Sequence, residues 1–280
     1  MWSWITILLL AMSFALVNAT NGSARQSRQS PLTWFIVVEL ATTGPDPEAD
    51  LQKTLIQISS RLDAFGIEGF QIDRHGARSA HRLIVKLPTV PDPDRLKELL
   101  VSEGKLEMRA VISDSSPKPM TIFSTREEAA VEALRSKGEV FPYELSALEM
   151  EFRGKKSANQ FIVTEAVPIV TGVHIRDAMA VASQYESDSD TWSISFSLRD
   201  AGAVKLEQWT SRNINNYIAV IYNQRVVSAA YIKSMIGKSG QIDGTFTETE
   251  AKDLALILSQ GQLPVPVRIV ETGSYEVRVA

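Results

Sequence analysis

The sequence predicts an α+β protein built from two units, one inserted into the other. Three observations predict it: two amphipathic helices that begin at Asp-Pro pairs, short alternating strands on either side of them, and a hairpin, helix and strand at residues 218–271. The 280 residues are 44% hydrophobic, which is sufficient for one large or two small packed domains.

The first unit follows the order strand, helix, strand, strand, helix, strand. Strand candidates, which alternate or are β-branched, are residues 35–40, 70–73, 83–87 and 106–110. Asp46-Pro47 and Asp92-Pro93 begin the helices, because an Asp side chain accepts from free amides and Pro is tolerated at the first helical position. Two such βαβ halves indicate a ferredoxin-like α+β sandwich, which we call the base.

The second unit, which we call the head, is predicted as an α+β insertion. Its first elements are a helix from Thr125, strands at residues 143–152 and 161–167 around a turn at Gly154, a short helix at residues 171–179, a strand at residues 191–197 and a helix at residues 203–213. A hairpin over residues 218–232 follows, with Asn223-Gln224 as its turn. The head therefore combines helices with mostly alternating, half-buried strands.

The end of the chain is predicted to return to the base. Thr247 and Glu250 form a capping box that begins the last helix, and Gly261 ends it. Residues 263–271 then have the pattern of a strand, and their prolines suit an edge position. The resulting division is a base of residues 34–114 and 263–280 and a head of residues 115–262.

An apolar N-terminal run predicts export from the cytoplasm. Residues 5–17 are continuously apolar, and residues 17–19 fit a small-x-small cleavage site. The run is short for a membrane span, which needs about 20 residues. Arg25 and Arg28 follow the run and no Lys or Arg precedes it, which opposes the positive-inside rule for an anchor. Residues 1–33 are thus either a cleaved signal peptide or a retained single-pass anchor, followed by a polar linker, and both alternatives place the remaining chain outside the cytoplasm.

Composition and motifs argue against an enzyme, a metal site and a nucleic-acid interface. The net charge is -4, and no cysteine is present to form a disulfide or a thiolate zinc site. Three histidines are present: His75, His81 and His174. No Asp or Glu cluster at ligand spacing accompanies them, and the pair Glu149 and Glu151 fits a solvated strand edge. We expect no catalytic residue, cofactor or metal, and the sequence assigns no polypeptide-binding residue.

Four segments resemble, in order, one protein family. They are RLDAFGIEGFQIDRHG at residues 61–76, HRLIVKLPTVPDPDRLKELL at residues 81–100, KLEMRAV at residues 105–111 and SGQIDGTFTETEAKDLALILSQGQLPVPVRIVE at residues 239–271. Together they resemble the first periplasmic domain of SecD, the accessory membrane subunit of the bacterial preprotein translocase. The resemblance covers residues 51–271. The sequence departs from the family pattern at the turn Asn223-Gln224, at residues 228–230 and at Lys238.

The resemblance implies a hinged periplasmic module in which a base carries a head that captures preprotein. Its implied partners are preprotein or unfolded polypeptide and components of the Sec translocase. The family enters its second membrane span where this chain ends, so the resemblance implies a stand-alone version without the later membrane helices. Such a version would not carry out proton-driven transport of its own. A membrane contact is expected only through an uncleaved N-terminal segment.

Two functions remain open from the sequence. The first is an exported module that binds translocating or unfolded polypeptide and assists protein export. The second is a structural or regulatory module of the envelope that interacts with proteins without a role in translocation. For the first function, aromatic residues of the head are candidates for a groove that takes an extended chain by sheet-edge addition or apolar contacts; they are Trp192, Trp209, Tyr217, Tyr222 and Tyr231. We expect hinge motion near residues 113–120 and 261–266.

Overall fold

The computed structural model describes residues 33–42, 44–77, 80–113, 120–143, 160–183 and 191–275. Within these ranges the chain forms thirteen β-strands and five α-helices, and the strands lie in three sheets. The predicted α+β class is confirmed. Residues 1–32 of the predicted export segment lie outside the described residues. In the described part of the chain, no helix has both the length and the apolar character needed to cross a bilayer.

The first sheet forms the base. Its strands are β1 (Trp34–Leu40), β2 (Gln71–His75), β3 (Arg82–Leu87) and the last strand of the chain, β13 (Val267–Ser274). They lie in the order β13-β1-β3-β2, and every neighbouring pair is antiparallel. Helices α1 (Pro47–Ala64) and α2 (Pro93–Val101) bury their apolar faces against this sheet. The ferredoxin-like sandwich is confirmed, and the end of the chain returns to it by pairing with β1.

Both base helices begin where their Asp-Pro pairs predict. Asp46 Oδ1 accepts the amide of Ala49 at 3.0 Å, and Asp92 Oδ1 accepts the amide of Arg95 at 3.0 Å. Each cap satisfies an amide that the first helical turn leaves without a partner in the helix. The caps thereby fix where each helix begins.

The predicted fourth strand of the base belongs to another sheet. Strand β4 (Leu106–Ala110) pairs with β10 (Tyr217–Tyr222) on one side and β7 (Val170–Thr171) on the other. The fourth strand of the base sheet is β13, which pairs with β1. The alternation in β4 is typical of a half-buried strand with one exposed face, but all five of its residues are buried. Arg109 forms ion pairs with Glu107 at 2.7 Å and with Glu139 at 2.6 Å, so paired charges rather than water cover that face. The subdomain boundaries at residues 114 and 262 stay predictions.

Strand β4 lies within a six-stranded sheet of order β6-β5-β11-β10-β4-β7. The remaining strands are β5 (Gly138–Tyr143), β6 (Gln160–Glu165) and β11 (Arg225–Tyr231), and helix α3 (Arg126–Ser136) packs on β5 and β6. The predicted hairpin is the pair β10 and β11. Asn223 and Gln224 both have positive φ, 45° and 68°, as a two-residue type I′ turn requires. The predicted turn at Gly154 lies outside the described residues.

The third sheet has the order β12-β9-β8. It consists of β8 (Ile175–Ala182), β9 (Trp192–Leu198) and β12 (Ser239–Phe246), and helices α4 (Asp200–Arg212) and α5 (Glu248–Gln260) pack on it. The capping box of Thr247 and Glu250 is present at the start of α5.

The predicted short helix at residues 171–179 is wrong. Only a 3₁₀ turn forms, at Gly172–His174, and the chain continues as strand β8. Ile175, Ala178 and Met179 have helical spacing, which suggested the helix. In the structure Ala178 and Ala180 pack on the core with the period of a strand, and Met179 faces solvent at 62% exposure. The core contacts of Ala178 and Ala180 therefore favour a strand over a helix in this segment.

Candidate functional site

Two chain connections join the base to the two other sheets and their helices. The first leaves α2 at Ser102 and enters β4 at Leu106, and the second leaves α5 at Gly261 and leads to β13. Both connections lie beside α1. The change of sheet therefore occurs at residues 102–105, before the predicted hinge at residues 113–120. The predicted hinge at residues 261–266 coincides with the second connection.

Arg61 of α1 binds both connections at once. Its Nη1 donates to the carbonyl oxygens of Leu99 at 2.9 Å and Ser102 at 2.6 Å, and its Nη2 donates to the carbonyl of Gly261 at 3.1 Å. These carbonyls lie at the C-terminal ends of α2 and α5, where the helix dipoles favour a cation. The side chain is buried, with 1% exposure. One guanidinium thus holds the two connections against the same helix.

Burial lowers the pKa of Arg61, but the guanidinium remains protonated at neutral pH. Desolvation lowers the pKa of Arg61 to about 10, and the nearby hydroxyl of Tyr222 raises it slightly. The guanidinium stays charged at neutral pH, so its three carbonyl contacts remain charge-assisted hydrogen bonds. Burial also raises the pKa of Tyr222, so that phenol stays protonated at neutral pH. Both groups therefore keep their protons at neutral pH, and their hydrogen bonds at the junction are maintained.

The hairpin turn contacts the first connection. The Tyr222 hydroxyl and Ser102 Oγ are hydrogen-bonded at 2.7 Å, and Asn223 Nδ2 donates to the same Ser102 Oγ at 3.0 Å. Asn223 Oδ1 accepts the amide of Lys105 at 3.0 Å, and the amide of Asn223 donates to the carbonyl of Lys105 at 2.9 Å. The Asn223 turn, a departure from the family pattern, thus pairs with the chain where it enters the head.

A salt bridge joins α2 to α5 across the junction. Arg95 Nε lies 3.0 Å and 2.9 Å from the two carboxylate oxygens of Asp253, and Arg95 Nη2 lies 2.5 Å from Asp253 Oδ1. The hydrogen bond to Asp253 raises the pKa of Arg95 above its ordinary value. The guanidinium also lies 5.0 Å from the ring centre of Phe65. Because the side chains are 32% and 21% exposed, solvent screens the pair and it can separate more easily than the buried Arg61 contacts.

A cavity of about 320 Å³ opens beside this salt bridge. Helix α2 forms one wall, and α5 with the hairpin and the end of β12 forms the other. The lining residues are Arg95, Glu98, Leu99, Ser102, Tyr222, Val227, Phe246, Glu250, Asp253, Leu254 and Ile257. This volume is at the lower end of the range for ligand pockets. We call it the junction cavity.

The histidines and carboxylates of the described residues form local contacts rather than a metal-binding cluster. Within the described ranges, no three His, Asp or Glu side chains are grouped as metal ligands. His81 Nδ1 is hydrogen-bonded to Thr42 Oγ1 at 3.3 Å, and His174 Nδ1 accepts the amide of Thr171 at 3.1 Å. These contacts give the two histidines local structural roles.

Two protein-family models match the chain in the base and in the head. Residues 51–113 match the model described as "Protein translocase subunit SecDF, P1 domain, N-terminal", and residues 147–265 match "SecDF, P1 head subdomain". The chain belongs to the SecDF P1 family. The two matches cover most of α1, all of α2 and the head from residue 147 onward, in the order that the sequence resemblance predicts.

Curated relatives of the P1 family are longer than this chain. The protein translocase subunit SecD of Koribacter versatilis is 30% identical over 221 residues, which are 79% of this chain and 38% of that protein. SecD of Aquifex aeolicus is 28% identical over 214 residues, or 76% of this chain and 37% of that protein. The chain thus spans less than half the length of these relatives.

Solved structures of SecDF share the fold. A crystal structure of SecDF in a super-membrane-facing form has a TM-score of 0.62 and 26% identity, over 86% of this chain and 30% of that chain. A structure of SecDF, described as a membrane component that enhances protein export, has a TM-score of 0.59 and 28% identity. That match covers 85% of this chain and 98% of the other chain, so the P1 similarity extends over both base and head.

The aromatic candidates of the P1 head are dispersed. All five are partly buried. Trp192, Trp209 and Tyr222 pack on the core that includes residues of α4, α5 and the third sheet. Tyr217 packs on a separate core beside β5 and β11, and its ring contacts that of Tyr231 at an angle of 60°, with ring centres 5.3 Å apart. Tyr222 alone of the five lines the junction cavity. The predicted aromatic groove is therefore not assembled from this set.

Sheet-edge addition is blocked at one edge of the P1 head. On β8, the amide of Ala178 donates to Ser259 Oγ at 3.0 Å, and Ser259 Oγ donates to the carbonyl of Ala178 at 2.9 Å. Helix α5 thus occupies backbone groups that an added strand would need.

Several residues of the junction were missed by sequence reasoning: Arg61, Arg95, Ser102, Asn223 and Asp253. Arg61 had a detectable signal, since it lies three residues after Ile58 and therefore on the buried stripe of α1. Arg95 and Asp253 had no detectable sequence signal, because a charged residue on an amphipathic helix normally faces water.

Proposed function

We propose that this chain is an export-associated module that binds translocating or unfolded polypeptide outside the cytoplasm and thereby assists protein export. The observation that carries the proposal is the match of both base and head to P1 domains, including 98% of a chain from a SecDF described as enhancing protein export. Sec translocase components are its proposed protein neighbours. That the module carries out no proton-driven transport of its own stays a prediction.

The junction geometry supports a binding function. The cavity has an apolar floor and walls from two subdomains, which suits a segment of unfolded chain with exposed apolar side chains. A ligand that contacts both walls has a different affinity for each base–head orientation, and it therefore shifts their populations. We propose that the orientation changes at residues 102–105 and 261–266, where the connections lie.

Binding of unfolded polypeptide tests the proposal. The full-length chain should bind a reduced and alkylated, permanently unfolded polypeptide weakly, because ordering the bound segment offsets part of the contact energy. Fluorescence anisotropy of the labelled polypeptide measures the affinity, and the folded form of the same polypeptide is the control. Since the chain contains no cysteine, Glu68→Cys and Glu207→Cys allow labels on exposed base and head positions.

The labels separate three outcomes. Binding with a change in label distance supports both capture and reorientation. Binding at constant distance keeps capture and rejects reorientation. If the unfolded polypeptide fails to bind, capture is rejected and the structural or regulatory interaction module becomes the better account.

Export forms a second prediction. Residues after about position 20 should lie outside the cytoplasm, because the apolar run at residues 5–17 directs export whether or not it is cleaved. Cell fractionation with N-terminal sequencing of the recovered protein distinguishes a cleaved signal peptide from a retained anchor. A full-length protein recovered in the cytoplasmic fraction contradicts the prediction.

A further inference from the structure

The junction cavity has an apolar floor. Leu99, Leu254 and Ile257 line it and are each nearly buried, with 4%, 6% and 4% exposure. Val227 and Phe246 complete the apolar surface from the head side. A volume of about 320 Å³ is roughly ten times that of a water molecule in the liquid, so the cavity can hold a long side chain with part of its backbone.

The mouth of the cavity is acidic. Arg95 and Asp253 neutralise each other in their salt bridge. Glu98 lies one helical turn after Arg95, is exposed, and makes no ion pair within the described ranges. Glu250 accepts from the amide and hydroxyl of Thr247 at 2.8 Å and 2.9 Å, but no cation of the described chain pairs with it. Two carboxylates therefore remain without a compensating positive charge.

These carboxylates lie on opposite walls. Glu98 belongs to α2 of the base, and Glu250 belongs to α5 of the head. A positively charged group between them would be attracted by both subdomains. An apolar stem below that group would lie on the floor, as the long side chains of Lys and Arg do at other interfaces between apolar surface and water.

We propose that the junction cavity is a subsite for a basic side chain within an extended polypeptide, flanked by apolar residues. This inference rests on the polypeptide-binding function proposed above and specifies its preferred sequence. The aliphatic stem of the lysine or arginine contacts Leu99 and Ile257, and its charged end reaches Glu98 and Glu250. Its occupation holds base and head together, because each subdomain supplies one carboxylate and part of the floor.

A matched pair of peptides tests the subsite. Two labelled, unstructured peptides differ only at the central position, which is lysine in one and norleucine in the other, with valine on both sides. The full-length chain should bind the lysine peptide about tenfold more tightly, which lies within the range for two solvent-screened ion pairs. The preference should decrease as salt concentration rises.

Three variants locate the effect. Glu98→Lys should remove the preference for the lysine peptide, while Glu68→Lys is a control that makes the same change of net charge at an exposed base position away from the cavity lining. Val227→Trp fills the cavity from the hairpin and should weaken both peptides. Circular dichroism and thermal unfolding establish that each variant folds.

The possible failures are distinguishable. If the chain binds neither peptide nor the unfolded polypeptide, the proposed function itself is wrong. If it binds both peptides equally, or if Glu98→Lys and Glu68→Lys have the same effect, polypeptide binding stands and the basic subsite is rejected. If the Val227→Trp variant folds and binds both peptides with unchanged affinity, the junction cavity is not the binding site.

Discussion

Replacing Arg61 with methionine should lower the free energy of unfolding by about 3 kcal/mol. The substitution keeps an unbranched apolar side chain but removes the guanidinium, and the carbonyls of Leu99, Ser102 and Gly261 lose their charged donor. The relief of burying a charge offsets part of this loss. Because Ser102 lies on the first connection and Gly261 on the second, the variant should also widen the distribution of base–head distances. Urea unfolding and the label-distance measurement give the two quantities.

A neighbouring cation on the same helix provides the control. Lys53 is exposed on α1, so Lys53→Met should change stability by less than about 0.5 kcal/mol. Arg61→Lys keeps the charge but loses the planar fork, and its stability should lie between that of the native chain and Arg61→Met. An Arg61→Met protein as stable as Lys53→Met, with an unchanged distance distribution, would show that the connections are held by other contacts.

Replacing Gly104 with alanine should destabilise the protein by about 2 to 3 kcal/mol. Gly104 has a φ of +71°, which costs any other residue free energy. An added Cβ would lie 2.7 Å from Ile257 Cγ2 and 2.9 Å from Arg61 Nη2, so both neighbours would have to move. The expected loss therefore exceeds the backbone cost alone. Thermal or urea unfolding measures it.

Gly237→Ala is the matched control for this change. No atom lies within 4 Å of a Cβ built at Gly237, and its φ does not lie in the left-handed region. Its stability should be unchanged or slightly raised. Equal effects of the two substitutions would contradict the close packing of the first connection around Arg61.

The helices of the base could be predicted because their signals are local. An aspartate before a proline fixes a helix start through contacts within one turn, and Asp46 and Asp92 make those contacts. The hairpin was also predictable, although Gln224 is an uncommon residue at positive φ. Hydrophobic periodicity and the residue types at caps and turns thus predict those helices and strands whose stabilising contacts are local in sequence.

The sequence predictions failed where contacts between residues far apart in the chain determine the structure. Glu107 and Arg109 look like a solvated face, yet they pair with each other, and Glu139 from another strand completes the network. No pattern within β4 reveals that distant partner. The junction was hidden for the same reason, since Arg61 satisfies carbonyls of residues far along the chain. The base–head orientation therefore depends on long-range hydrogen bonds that hydrophobic patterning does not encode.

The position of β13 has a consequence for the order of folding. The base sheet needs a strand from the last described residues, although its other three strands come from the first third of the chain. During synthesis or passage through a membrane from the N-terminus, β1 therefore emerges long before its partner and exposes an unpaired backbone edge. Closing this sheet requires the intervening head to bring the ends together, and non-local closure of this kind slows folding. A compact head that forms first would shorten the search, so the inserted subdomain also serves as the tether that completes the base.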